Sequence, residues 1–319
     1  MRLRWPAAVT AMGLLAAACG GADGGSGAGG LSVATAFYPL EWVTEQVGGA
    51  EVEVSNLTPA GAEPHDLELT PAQRDEIEDA DLVVVMGNGF QPAVEAAAED
   101  RDGPTVEVFA ELASIDARGR NVADEHDDDD ADVADEHEDV DFEDTLDPHV
   151  WLDPVLMTEV VDVIAGALSE LAPDAADAFA ANAATVDEEL ASLDSEYAGE
   201  LASCASRVLV TAHDAFGYLT ARYDLEAHGA AGLSPDEEPD ASRIAELVDL
   251  VADEGVTVVF TEELVSPAIA QTLAAEAGVD TDVLSTLEGL TAEEEEAGDD
   301  YVGVMRANLG KIGGALGCS

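Results

Sequence analysis

The stretch LSVATAFYPLEWVTEQVGGAEVEVSNL, residues 31–57, indicates the fold class of this chain. Leu31–Phe37 and Val52–Leu57 are short apolar runs with the length and composition of buried strands. Pro39–Val47 lies between them and is amphipathic, which is typical of a helix that covers a sheet. A strand, a helix and a second strand in this order form a unit whose two strands run parallel. The stretch therefore predicts an α/β fold.

The same alternation continues through both halves of the chain. Further strands are predicted at Leu82–Met86, Val106–Phe109, Val208–Thr211, Leu225–Ala227, Thr257–Phe260 and Thr281–Leu284. Further helices are predicted at Thr70–Ala80, Gln91–Glu99, Ala215–Tyr223, Ala241–Asp253, Pro267–Ala277 and Asp300–Leu316. Strands that alternate with helices indicate parallel sheets, so we expect two α/β lobes, at residues 31–172 and 204–319.

The middle of the chain carries no strand signal. Val155–Leu171 has helical periodicity, and Pro173 interrupts it. Asp174–Ala202 then continues without proline and predicts a helix of about 40 Å at 1.5 Å per residue. We expect this linking helix, within residues 173–203, to join the lobes rigidly and to limit how far they open.

The first residues have the features of a targeting segment. Arg2 and Arg4 precede a short apolar run, Ala7–Ala18, which is too short to span a bilayer. Small residues directly before Cys19 resemble a bacterial lipoprotein signal, in which Cys19 is lipidated; a plain secretory signal is the alternative. Residues 20–30 are rich in Gly, Ala and Ser and predict a flexible tether. The chain is expected outside the cytoplasm, anchored to the cell membrane.

Two cysteines remain after Cys19, namely Cys204 and Cys318. Outside the cytoplasm two remaining cysteines usually pair, so we expect a disulfide between them. Two unpaired buried thiols are the alternative.

The charge of the chain is strongly negative. It has 70 Asp and Glu against 11 Lys and Arg, a formal net charge of −59. Such a surface repels nucleic acid and anionic lipids, and its even spread along the chain favours adaptation to salt. The acidic segment Asn121–Asp144, with His126 and His137, lacks the apolar residues needed to fold and predicts a disordered loop that can bind cations weakly.

Three histidines lie in turns after or beside predicted strands: His65, His149 and His213. Ligands gather at the carboxyl ends of parallel strands, which is where His213 lies. Pro64 and Pro148 stiffen the backbone before the other two histidines. The sequence has no His-Glu-x-x-His, no Cys-x-x-Cys pair and no phosphate-binding glycine loop, so these residues alone only suggest a metal site.

Several longer motifs resemble those of one known family. They are Phe37-Tyr-Pro39, Gly61-Ala-Glu-Pro-His-Asp66, Asp147-Pro-His-Val-Trp-Leu-Asp-Pro154, His213-Asp-Ala-Phe-Gly-Tyr218 and Met305-Arg-Ala-Asn-Leu309. In this order they resemble the zinc-uptake (ZnuA-type) substrate-binding proteins that serve ABC importers. The resemblance implies a metal cleft between two lobes, with His65, His149 and His213 as ligands. It also implies an ABC permease and ATPase as partners, for a protein we expect to be a monomer.

The metal and its fourth ligand follow from the same resemblance. Manganese-binding relatives usually have a carboxylate in place of His213, and three neutral imidazoles favour Zn²⁺ over Mn²⁺. Ser285 stands where many relatives have an Asp, and Glu288 matches a Glu that some zinc-binding relatives use. We expect Glu288 as the fourth ligand, with water or Glu63 as alternatives.

Other side chains receive simpler interpretations. We expect Asp66 and Asp214 to hold the second imidazole nitrogens or to cap helices. Glu262 and Glu263 are assigned local polarity only, and His228 is expected to be a surface or packing residue.

The sequence therefore predicts an extracytoplasmic zinc receptor that is not an enzyme and binds no nucleic acid. A manganese or iron receptor of the same family remains an alternative, as does a surface adhesin or zinc-storage protein. A zinc hydrolase is a further alternative, but it would need a general base and a substrate pocket that no motif indicates.

Overall fold

The computed structural model describes residues 30–112 and 146–319. The signal segment with Cys19, nearly all of the tether, and the acidic segment with His126 and His137 lie outside the described residues. Within the described ranges, no helix combines the length and the apolar character that a membrane span requires.

The first lobe contains a four-stranded parallel sheet with the strand order β2-β1-β3-β4. Its strands are β1 (Leu31–Thr35), β2 (Val52–Asn56), β3 (Leu82–Val85) and β4 (Thr105–Glu107). Its helices are α1 (Tyr38–Gly48), α2 (Pro71–Asp79), α3 (Pro92–Asp100), α4 (Val108–Glu111) and α5 (Pro154–Leu171). Helix α2 begins where expected, because Thr70 and Gln73 form a capping box and Pro71 occupies the first turn.

The second lobe repeats this arrangement, with the parallel order β6-β5-β7-β8. Its strands are β5 (Val208–Thr211), β6 (Glu226–Gly229), β7 (Val258–Thr261) and β8 (Asp280–Val283). Its helices are α7 (Gly217–Arg222), α8 (Ala241–Glu254), α9 (Ala268–Ala277), α10 (Ala292–Ala297) and α11 (Tyr301–Leu316). The strand order changes direction between β5 and β7, and ligands of such sheets bind beyond the carboxyl ends of the strands at that point.

The linking helix is α6 (Ala176–Glu200), which follows a 3-10 turn at Pro173–Ala175. Its 25 residues span about 38 Å at 1.5 Å per residue. It packs against α1 and α5 of the first lobe and against α11 of the second. The predicted fold class, two parallel-sheet lobes joined by a long helix with the candidate site between them, is confirmed.

One predicted strand differs from the structure, and one helix of the structure was not predicted. Val106–Phe109 was expected to be a strand, but β4 ends at Glu107, which pairs with Val85, the last residue of β3. With no further partner residue in β3, the chain turns into the short helix α4. Helix α10 was not predicted; a capping box of Thr291 and Glu294 begins it and Gly298 ends it.

A disulfide joins Cys204 and Cys318. The backbone around it supports the same connection, because Ser319 N donates to Ser203 O at 3.1 Å and Ala205 N donates to Leu316 O at 2.9 Å. The end of α11 is thereby fastened to the chain that leaves α6.

Candidate metal centre

Four side chains from distant parts of the sequence meet between the lobes: His65, His149, His213 and Glu288. One ligand atom from each lies within 4.8 Å of the others. Glu288 Oε1 is 3.4 Å from His149 Nε2, 3.4 Å from His213 Nε2 and 3.7 Å from His65 Nε2. The side chains of His149 and His213 are fully buried, and that of Glu288 is 1% exposed. The structure therefore brings together all four residues that the sequence analysis selected.

Each of the four residues lies in a connection rather than inside a strand. His65 lies between β2 and α2, and His213 lies two residues beyond β5. His149 precedes the 3-10 turn Val150–Leu152, and Glu288 lies between β8 and α10. Connections from both lobes converge here because the sheets turn their carboxyl ends towards each other.

Two buried carboxylates orient the imidazoles of His149 and His213. Asp147 Oδ1 is 2.7 Å from His149 Nδ1 and also accepts the His149 backbone N–H at 2.9 Å. Both oxygens of Glu262 lie 2.8 Å from His213 Nδ1. In a neutral imidazole the proton then resides on Nδ1, which leaves the Nε2 lone pair facing the centre of the cluster.

The expected partners Asp66 and Asp214 do not fill this role. The Asp66 backbone N–H donates to Glu63 Oε2 at 3.2 Å, and the Asp214 carboxylate accepts from the Gly229 backbone N–H. Asp147 could have been found from the sequence, because it stands two residues before His149. Glu262 could also have been found, because it directly follows β7, the strand beside β5, and shares that sheet edge with His213.

Glu63, the alternative fourth ligand, and Ser285, which stands where many relatives have an Asp, both make other contacts. Glu63 Oε1 accepts the His65 backbone N–H at 3.0 Å, so the Glu63 carboxylate stabilises the turn that carries His65. Ser285 Oγ accepts the Leu287 backbone N–H at 3.3 Å. Glu288 is the carboxylate that the structure places among the three imidazoles.

Several polar atoms at the centre lack an ordinary partner. His65 Nε2 and Glu288 Oε1 are buried without a hydrogen bond. The Nε2 atoms of His149 and His213 face each other at 3.3 Å. With both imidazoles neutral and protonated on Nδ1, the two lone pairs at that distance repel, and buried polar atoms left unpaired are costly. A divalent cation among these four atoms would satisfy all of them, so the donor set fits a metal.

In the metal-free site, the close packing of imidazoles and carboxylates also shifts their pKa values. Burial alone would lower the pKa of His213, but the charge and hydrogen bond of Glu262 outweigh it and hold the pKa well above its usual value. Burial and Asp147 oppose each other in the same way at His149, and its pKa is raised. Burial would raise the pKa of Glu288, yet the three neighbouring histidines hold that pKa well below its usual value. Without metal, the neighbouring carboxylates therefore favour the protonated forms of His149 and His213.

Aromatic rings enclose the cluster. The ring centre of Phe90 is 4.5 Å from that of His65, and Trp151 lies 5.1 Å from His149. Phe37 in turn packs against both Phe90 and Trp151. These apolar walls keep water away, which strengthens electrostatic interactions inside the site.

Comparison with known proteins adds independent information. The family model ZnuA, described as "Zinc-uptake complex component A periplasmic", matches residues 33–315. The high-affinity zinc uptake system protein ZnuA of Bacillus subtilis is 36% identical over 307 residues, which cover 95% of this chain and 94% of that protein. The zinc-binding lipoprotein AdcA of Streptococcus pneumoniae is 38% identical over 284 residues, covering 88% of this chain. This chain spans 55% of the length of AdcA.

A solved structure shares the fold. The Zn(II)-bound ZnuA-like domain of Streptococcus pneumoniae AdcA aligns with a TM-score of 0.71 at 34% identity. The alignment covers 90% of this chain and 99% of that domain.

Proposed function

This chain belongs to the ZnuA family, and from that premise we propose that it is an extracytoplasmic receptor that captures Zn²⁺ and delivers it to an ABC importer. The Nε2 atoms of His65, His149 and His213 and one oxygen of Glu288 hold the ion. The observation that carries the proposal is the enclosure of these four atoms within 4.8 Å of one another, without hydrogen-bond partners for His65 Nε2 and Glu288 Oε1.

The donor set favours zinc over the alternative metals. Three imidazole nitrogens and one carboxylate oxygen match the tetrahedral nitrogen and oxygen coordination of Zn²⁺. Mn²⁺ prefers more oxygen ligands than this site offers. A zinc-bound relative with the same fold supports the choice.

The arrangement favours cargo binding over catalysis. A catalytic zinc site keeps one coordination position open for water, whereas four protein ligands fill a tetrahedron. The apolar rings of Phe90 and Trp151 also leave little room for a substrate. We therefore propose a receptor and not a hydrolase.

Delivery and anchoring are part of the same proposal. We propose that a permease and an ATPase receive the ion, and that a lipid on Cys19 holds the protein at the membrane. The relative AdcA is named a lipoprotein, which supports the anchor. Adjacent genes for a permease and an ATPase would support the importer, and their absence would favour a storage role.

The test is a zinc titration of the purified chain from Gly20 onward against a competing chelator. We expect one tight Zn²⁺, and a loss of affinity of at least about 10-fold to 100-fold in each of His65→Ala, His149→Ala, His213→Ala and Glu288→Ala. His228→Ala is the matched control, because this histidine lies outside the cluster and 3.8 Å from Glu226. If the four site variants retain the tight isotherm, or if the control loses it, the site is wrong.

A further inference from the structure

Glu288 reaches the site from a segment that is neither helix nor strand. Ser285–Glu288 lies between β8 and α10. Strand pairing ends just before it, where Leu284 N donates to Thr261 O at 2.8 Å. Something other than secondary structure must therefore fix the position of the Glu288 carboxylate.

The backbone of this segment adopts a conformation that its sequence does not favour. Leu287 has a φ of 55°, in the left-handed region that side chains other than glycine and asparagine rarely occupy. Its side chain is 1% exposed and belongs to the core. A segment with such a residue holds its shape only when surrounding contacts impose it.

Asn308 supplies the closest of these contacts. Its Oδ1 accepts the Ser285 backbone N–H at 3.1 Å, and its Nδ2 donates to the Ser285 carbonyl at 2.7 Å. The side chain is fully buried and projects from the middle of α11. Only an amide can donate and accept at once in this way, so a carboxylate or an aliphatic group cannot replace it.

A second contact holds the next residue. Trp151 Nε1 donates to the Thr286 carbonyl at 2.8 Å, from the turn that also carries His149. Within the segment, Ser285 Oγ accepts the Leu287 N–H at 3.3 Å. The peptides on the amino-terminal side of Glu288 are thus fixed one after another, and Asn308 holds the first of them.

We propose that Asn308 is a positioning residue for the metal site: by clamping both backbone groups of Ser285 it holds the Ser285–Glu288 segment in the shape that presents the Glu288 carboxylate to the three imidazoles. This inference rests on the proposed zinc-binding function and deepens it. Asn308 touches neither the imidazoles nor the metal position, so its contribution to affinity passes through Glu288.

The test is a double-mutant cycle read by zinc titration against a chelator. Asn308→Ala and Asn308→Asp are expected to weaken zinc binding about 10-fold to 100-fold, as losses of supporting contacts at metal sites do. A Glu288→Ala protein is expected to retain weaker zinc binding through its three imidazoles. In that background, Asn308→Ala should change the zinc affinity by no more than about twofold. Asn182→Ala is the matched control, since Asn182 also joins two elements: its Nδ2 donates to Val47 O at 2.9 Å and so links α6 to α1.

Each outcome decides the question. An Asn308→Ala protein with wild-type affinity overturns the inference. So does an equal loss in the presence and absence of Glu288, because the effect would then pass through the histidines or the lobes. If neither Asn308 variant folds while Asn182→Ala does, Asn308 is a residue of the fold and the inference is also overturned. Failure of the wild-type chain to bind zinc would instead refute the proposed function, before any variant is compared.

Discussion

The carboxylates of Asp147 and Glu262 determine which nitrogen each buried imidazole presents to the centre. Each lies within 2.8 Å of an Nδ1 atom, so the Nε2 atoms are left for a ligand. Such partners also make the imidazole a stronger donor to a metal. Glu262 contacts its imidazole more extensively than Asp147 does, because both oxygens of Glu262 lie near the same nitrogen of His213.

Glu262→Gln is expected to change both the affinity for zinc and its pH dependence. Because Glu262 raises the pKa of His213, protons compete with zinc for His213 Nε2 up to a higher pH than at an ordinary histidine. Affinity should therefore rise with pH until the pH exceeds that pKa. Without the charge of Glu262 the pKa falls, so the pH at which affinity levels off should move lower. Above the pH at which affinity levels off, the variant should bind zinc about 10-fold to 100-fold more weakly than the wild-type chain.

Zinc titrations over a pH series measure this effect, and calorimetry in buffers of different ionisation enthalpy counts the protons released. Glu263→Gln is the matched control, since it removes the same charge one residue further along while His213 keeps both oxygens of Glu262. An unchanged pH profile in Glu262→Gln, or the same shift in the control, would contradict this role.

At the scale of elements, α7 attaches the second lobe to the segment that carries His149. Tyr218 Oη donates to the Asp147 carbonyl at 2.8 Å, and Arg222 forms an ion pair with Asp153. Gly217 permits this close approach, because a Cβ there would lie 2.7 Å from Asp147 Oδ2. Helix α7 thus holds His149 and His213 in register across the boundary between the lobes.

Arg222→Met is expected to lower the free energy of unfolding by about 3 kcal/mol. The Asp153 side chain is 3% exposed and also caps α5, so removal of its cation leaves a buried charge without its partner. Denaturant unfolding measures the change. Arg306→Met is the matched control, because its pair with Glu196 lies at the surface, where ion pairs contribute little. Equal losses of unfolding free energy in the two variants would show that the buried Arg222–Asp153 pair stabilises the protein no more than the surface pair.

At the scale of the whole molecule, one core extends through both lobes. The largest cluster of buried apolar residues includes Val33 of β1, Leu190 of α6, Leu209 of β5 and Ile312 of α11. A second, smaller cluster lies under α8 and α9. A core shared between the lobes should oppose wide opening of the cleft, in the same direction as the effect expected of the linking helix.

The net charge of −59 also acts on the whole molecule. Repulsion among surface carboxylates disfavours the compact state, and salt screens it. We expect the melting temperature of the metal-free chain to rise between about 0.01 M and 1 M NaCl, over which the Debye length falls from about 30 Å to 3 Å. A melting temperature that stays constant or falls with NaCl would contradict this account.

The alternation of strands and helices, the linking helix and the three histidines could all be predicted from the amino-acid sequence. Apolar periodicity is local, so β5 at Val208–Thr211 and α8 from Ala241 were predicted close to their observed bounds. The histidines were selected by turns and motifs that can be read within a few residues, and Glu288 by its resemblance to a family pattern.

How these residues are oriented and supported depends on tertiary contacts. Glu262 contacts His213 across 49 residues of sequence, and Asn308 contacts Ser285 across 23. Contacts of that range depend on how the sheet order and α11 bring separate segments together, which local patterns do not record. The choice of Glu288 over Glu63 has the same origin. Both carboxylates lie near a histidine, but Glu63 is engaged by the backbone of its own turn, whereas the fold turns Glu288 towards three imidazoles.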